Sequence, residues 1–153
     1  METKTLRISC AQLSFSVGAI QENKEKILSK LEEAEKISSD IVLFPELSLT
    51  GYPPEDLLLR ESFVGKNFAV LEEIAEFSGK TSGVIGFVDR SIKKQTNDNV
   101  ERNITNAAAI VQNGDVKGIY HKCFLPNYSV FDEARYFDKG LDPSALFLSL
   151  IHI

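Results

Sequence analysis

Strand-type and helix-type periodicities alternate along this chain, and that alternation restricts it to a sheet covered by helices. Residues 5–15, TLRISCAQLSF, alternate in the manner of a strand and should point Leu6, Ile8 and Cys10 into a core. Residues 19–39, AIQENKEKILSKLEEAEKISS, place Ile20, Ile27, Leu31 and Ala34 on one helical stripe, with Lys24 at its edge. DIVLFPE (40–46) is a continuous apolar strand of the kind found in sheets covered on both faces. Residues 61–80 read as a second helix with Val64, Phe68, Leu71, Ala75 and Phe77 inward, and SGVIGFVDR (82–90) as a third strand. A polar loop, SIKKQTNDNVER (91–102), leads to NITNAAAIVQ and VKGIYHK, joined by Asn113-Gly114-Asp115. Asn-Gly between two strand patterns is a strong hairpin signal, because both residues tolerate the left-handed backbone a tight turn needs. The order is strand, helix, strand, helix, strand, hairpin, which defines an α/β chain.

Composition narrows the class. With 153 residues the chain can bury a real core, and 43% apolar with 25% charged is ordinary for a soluble globular protein. No apolar run reaches the roughly 18 residues that span a bilayer, and the start METKTLRISCAQ has no basic region leading into an apolar one. A cytoplasmic protein is expected. The net charge of −5 lacks a basic cluster, which argues against nucleic acid or an anionic membrane as partner. The two cysteines, Cys10 and Cys123, form neither a disulfide framework nor a metal cluster.

Three residues could carry chemistry: Glu46 where the second strand ends, Lys122 at the end of the hairpin, and Glu133 in the loop beyond it. Functional groups of open α/β sheets gather where strands give way to loops. Two carboxylates and an ammonium there could take a proton from a nucleophile and steady an oxyanion. A Glu or Lys at a strand end is, taken singly, more often solvated surface, and the residues alone leave both readings open.

VLFPELSLTGY (42–52) and YHKCFLPNYSVFDEARYF (120–137) resemble the first two signature regions of the nitrilase superfamily of carbon–nitrogen hydrolases. The opening LRISCAQLSFSVGAIQENKEKI and the hairpin NITNAAAIVQNGDVKGIYHK resemble that family's first strand and helix and its central hairpin. The likeness runs from about residue 6 to residue 140. It implies a four-layer α-β-β-α sandwich, here incomplete, and a Glu–Lys–Cys triad. It implies Glu46 as general base, Lys122 as oxyanion partner, and Glu133 as the second glutamate that orients lysine and substrate.

GYPPEDLLLR and LPNYSVFDEARYF are most similar to the amidase domain of bacterial glutamine-dependent NAD synthetases. That resemblance implies L-glutamine as substrate, with Tyr52, Tyr128 and Phe131 lining its pocket. Aromatic rings could pack the substrate methylenes there, or could equally serve in core packing. It also implies a C-terminal synthetase domain that uses ATP and magnesium to amidate nicotinic acid adenine dinucleotide, and a homo-oligomeric parent; no cofactor is expected for the amidase part. A stand-alone ω-amidase and a non-catalytic α/β module are the alternatives.

The family's cysteine lies in a later Cys-Glu-Asp motif that is not found here. Side-chain alternation turns Cys123 away from the face Lys122 uses, and Cys10 is expected to be a small buried apolar residue. A fragment that is inactive by itself is therefore expected. The full phosphate-loop pattern, a glycine five residues ahead of Gly-Lys-Ser/Thr, does not occur either: Gly79-Lys80-Thr81 is preceded by Ile74 where that glycine would stand. Residues 1–147 are expected to form a partial hydrolase domain, with 148–153 (LSLIHI) a truncated or non-native tail.

Overall fold

The computed structural model describes residues 5–90 and 104–142. The polar loop at 91–102 and the tail at 148–153, with the boundary proposed between 147 and 148, lie outside the described residues. The elements are β1 (Ile8–Cys10), α1 (Ile20–Lys36), β2 (Ile41–Leu43), α2 (Glu61–Glu76), β3 (Ser82–Arg90), β4 (Ile104–Gln112) and β5 (Asp115–His121). Short 3-10 turns occupy Glu55–Leu59 and Glu133–Arg135. No helix among the described residues is long and apolar enough to cross a membrane.

The strands form one sheet in the order β1-β2-β3-β4-β5. β1, β2 and β3 run parallel, and β4 and β5 return antiparallel. Two successive crossovers between neighbouring parallel strands place α1 and α2 on the same face, since such connections share one hand. The helices pack on each other, and Ile20, Ile27, Leu31, Val70, Leu71 and Ile74 meet Val42, Ile85, Phe87, Ala107, Ala109 and Val111 of the sheet in one core. Phe68 stands edge-on to Phe87, ring centroids 6.3 Å apart. These are an α and a β layer of the expected sandwich. The predicted hairpin forms, with Asn113 and Gly114 both at positive φ and Gln112 paired with Asp115.

Two sequence expectations need correction. Leu6 and Ile8 are about half exposed and Cys10 is exposed, whereas Ala11 is buried. Alternation identifies which residues share a face, not which face is covered. In β1 the helices cover the set that holds Ala11, so Cys10 is not a buried apolar residue. Phe77 is 74% exposed. It follows the last residue of α2, where the helical stripe no longer continues. Asn67, Val70 and Ile74 fill that face instead.

Two buried amides and one exposed carboxylate tie loops to the helices and sheet. Asn23 accepts from the Ser16 backbone N–H (3.0 Å) and donates to the carbonyls of Ser16 (2.8 Å) and Leu49 (3.1 Å), fastening both loops to α1. Asn67 donates to the Val88 carbonyl (2.6 Å) and accepts from the Val88 N–H (3.3 Å). β2 has ended at that level, so the amide satisfies a stretch of β3 edge that would otherwise lack partners. Glu35 accepts from the backbone N–H groups of Lys80 (3.1 Å) and Thr81 (2.8 Å).

Candidate active site

β2 releases the chain at Leu43. Phe44 still donates to the Val84 carbonyl, and the chain then climbs over β3, where Leu49 donates to the Gly86 carbonyl. Pro45 has no N–H to extend a ladder. The climb brings the backbone almost onto Gly86: a Cβ there would lie 2.3 Å from the Leu47 nitrogen and 2.6 Å from the Pro45 oxygen. Gly86 therefore admits the turn that presents Glu46. Leu47, at positive φ and fully buried, anchors the turn from below.

Lys122 follows β5 directly, and its N–H donates to the Asn106 carbonyl at 2.8 Å. Its Nζ donates to Glu46 Oε1 at 2.6 Å and to Glu133 Oε1 at 3.1 Å. Glu133 Oε2 is also within ion-pair range at 2.9 Å but makes no directed hydrogen bond. Glu133 opens a 3-10 turn whose Tyr136 and Phe137 N–H groups bond back to its carbonyl, and Phe137 is buried in a second apolar cluster with Leu47 and Val88. That packing fixes where Glu133 stands. The side chains grade from exposed to buried: Glu46 is 46% accessible, Lys122 28% and Glu133 7%.

Burial opposes the charge of Lys122, but its hydrogen bonds to Glu46 and Glu133 outweigh that, and the ammonium is held above its ordinary pKa. Tyr52 donates its hydroxyl proton to Glu133 Oε1 at 3.3 Å. Burial, then the charges of Glu133 and Glu46, push its phenol above the usual value, so it remains a donor. Gly51 at φ 76° makes the bend before Tyr52, where a Cβ would fall 2.6 Å from Val17 backbone atoms.

Four of the six candidate residues, Glu46, Lys122, Glu133 and Tyr52, thus form one connected cluster. Tyr128 and Phe131 sit on the loop leading into Glu133 and stack edge-on with each other at 5.6 Å. Tyr128 is largely exposed and Phe131 partly so. Sequence reasoning missed Asn106, whose Nδ2 donates to Glu46 Oε1 at 2.6 Å. An amide interrupting the apolar run ITNAAAIV was the available signal, since a buried amide in a strand requires a partner. Cys123 donates its thiol to the His121 carbonyl at 3.4 Å.

This cluster can hold an ionised carboxylate beside a permanent cation. Lys122 has three N–H donors. One goes to Glu46 and one to Glu133, which leaves a third for a developing negative charge on a bound group.

Comparison with known proteins places the chain in a family. Residues 7–149 match the carbon–nitrogen hydrolase family. The chain is 42% identical over 140 residues to the glutamine-dependent NAD(+) synthetase of Thermotoga maritima, covering 90% of this chain and 22% of that protein. It is 45% identical over 138 residues to the one from Aquifex aeolicus, covering 90% and 23%. The chain therefore spans about a quarter of the length of these curated relatives. Among solved structures, the glutamine-dependent NAD+ synthetase from Acinetobacter baumannii superposes with a TM-score of 0.78 at 38% identity, over 96% of this chain and 26% of that one. An amidase from Nesterenkonia sp. shares the fold, with a TM-score of 0.72 at 20% identity over 94% of this chain and 51% of that one. Sequence and fold agree over nearly the whole described region, and the chain belongs to the carbon–nitrogen hydrolase family.

Proposed function

We propose that this chain is part of the glutamine-hydrolysing amidase of a glutamine-dependent NAD synthetase, and that Glu46, Lys122 and Glu133 serve its chemistry. The observation that carries this reading is the convergence of the three groups on one ammonium: Lys122 Nζ lies 2.6 Å from Glu46 and 2.9 Å from Glu133. The relatives' name, glutamine-dependent NAD(+) synthetase, supports glutamine as the substrate and a synthetase part as the companion function.

In this mechanism Glu46 takes the proton of an attacking thiol. The sulfur bonds to the carboxamide carbon, and the C=O electron pair moves onto oxygen, where the third N–H of Lys122 receives it. Collapse breaks the C–N bond as Glu46 returns its proton to the leaving nitrogen, giving ammonia and a thioester. Water then attacks, Glu46 takes its proton, the C–S bond breaks and the thiolate is reprotonated. Glu133 and Tyr52 keep the ammonium in place throughout.

Neither cysteine present supplies that thiol. Cys123 is engaged with a backbone carbonyl two residues back, and Cys10 lies exposed on β1 without a hydrogen bond to the cluster. The nucleophile comes from outside these 153 residues. The test is ammonia release from glutamine. In the full-length gene product, Glu46→Gln lowers kcat by about 10²- to 10⁴-fold, the range for loss of a general base. The 153-residue chain alone releases none; release that disappears with Cys123→Ser would overturn the assignment of the thiol.

A further inference from the structure

Asn106 has a place in the site that the triad reading does not use. It is 3% exposed and sits in β4 between Thr105 and Ala107, so its side chain leaves the sheet on the face opposite the helices. Its Nδ2 donates to Glu46 Oε1 at 2.6 Å, and its own carbonyl accepts the Lys122 N–H at 2.8 Å. One residue therefore holds the Glu46 carboxylate by its side chain and the Lys122 backbone by its main chain. The amide orientation follows from chemistry: an Asn oxygen turned to the carboxylate would be repelled.

Lys122 Nζ also donates to Oε1, at 2.6 Å. Among the described residues both donors to Glu46 thus fall on the same oxygen. The side chain is still 46% accessible, so the lone pairs open to a reacting group belong to Oε2. We propose that Asn106 is a positioning residue: by holding Oε1 and the carboxylate plane, it makes Oε2 of Glu46 the oxygen that takes and returns the proton.

Lys122 cannot do this alone. A single donor on a flexible stem leaves the carboxylate free to rotate, and the ammonium is shared between Glu46 and Glu133. Asn106 stands on an interior strand and gives Oε1 a second donor, fixed by the sheet. The buried amide has the geometry of a fixed donor to a charged acceptor, the stronger class of hydrogen bond.

The proposal rests on Glu46 being the base, and the test separates the two. In the full-length gene product, glutamine hydrolysis is followed against pH for Asn106→Ala, Asn106→Asp and Glu46→Gln. Asn106→Ala should lower kcat about 10- to 100-fold, as expected for losing a hydrogen bond to a charged group. KM should change little, because the residue acts through the base and not on the substrate. Asn106→Asp keeps the shape but sets a second carboxylate beside Glu46. Two adjacent carboxylates resist ionising together, so the acid limb of the kcat profile should move to higher pH. A purely structural role would lower the melting temperature without moving that limb.

If Asn106→Ala does not fold, the isosteric Asn106→Asp decides. Unchanged kcat and pH limb in Asn106→Asp, with Glu46→Gln inactive, would overturn the proposal and leave the base intact. An active Glu46→Gln, or a wild type that releases no ammonia, would remove the base and the proposal together.

Discussion

The two faces of the same sheet differ in what covers them. Toward α1 and α2, Val42, Ile85, Phe87, Ala109 and Val111 are almost wholly buried. On the opposite face Ile8 is 51% and Leu43 39% exposed, and Val84, Ala108 and Ile110 are only half buried. That second face carries the proposed catalytic groups. Asn106 projects from it, the Glu46 turn crosses it above Gly86, and Lys122 reaches it from the end of β5. One face is therefore closed by packing and contributes stability. The other is left open, and its charged groups are held by one another. Alterations to the first should register as unfolding, and alterations to the second as lost activity.

The largest expected effect is on the closed face. Phe87 is fully buried and packs against Phe68. Phe87→Ala should cost about 3–5 kcal/mol, the range for deleting a buried aromatic ring, read as a lower urea midpoint. A loss well under that would mean that this face is not the main source of stability.

Gly86 joins the two faces. A Cβ pointing to the open side would meet Leu47 nitrogen at 2.3 Å, and backbone cannot yield as a side-chain tip can. Gly86→Ala should cost about 1–3 kcal/mol of overpacking strain and should also lift Glu46 away from Lys122. In the full-length protein kcat should fall further than the melting temperature explains. A stability loss with unaltered kcat would show that the turn moves without carrying the carboxylate with it.

Much of the closed face was legible in the sequence, and its reason is local. The stripe Ile20, Ile27, Leu31, Ala34 and the Asn113-Gly114 turn obey rules spanning a few residues, and both form as read. Glu46, Lys122 and Glu133 were legible through motif resemblance, not through spacing, because 76 residues separate Glu46 from Lys122. What escaped depends on long-range neighbours. β1 was assigned the wrong inner set because its covering is decided by crossovers elsewhere. Asn23, Asn67 and Asn106 were passed over because a buried amide is explained only by the distant backbone or carboxylate it meets.

A smaller effect lies in the ion cluster of the open face. The Lys122 pKa is raised in the folded chain: burial disfavours the charge, but Glu46 and Glu133 more than compensate. A group with a raised folded value stabilises fully below its unfolded pKa, about 10.4 for lysine, and loses that contribution as pH climbs through the folded value. The difference in urea midpoint between wild type and Lys122→Met should therefore stay constant through neutral pH and shrink only in strong alkali. A difference that shrinks below pH ~9 would mean that the ammonium is not held by both carboxylates.

The smallest expected effect tests whether the open face is open in solution. Leu43 and Ile8 are exposed and lie in β2 and β1, on the side away from the helices. Leu43→Ser and Ile8→Ser should each change stability by no more than about 0.5 kcal/mol, as exposed positions do. The same substitutions remove apolar area that would otherwise drive association. Sedimentation of the 153-residue chain at rising concentration should then show less self-association in each variant than in the wild type. If Leu43→Ser instead destabilises on the scale of Phe87→Ala, the second face is covered in solution by another copy, and the contrast between the faces belongs to the isolated chain only.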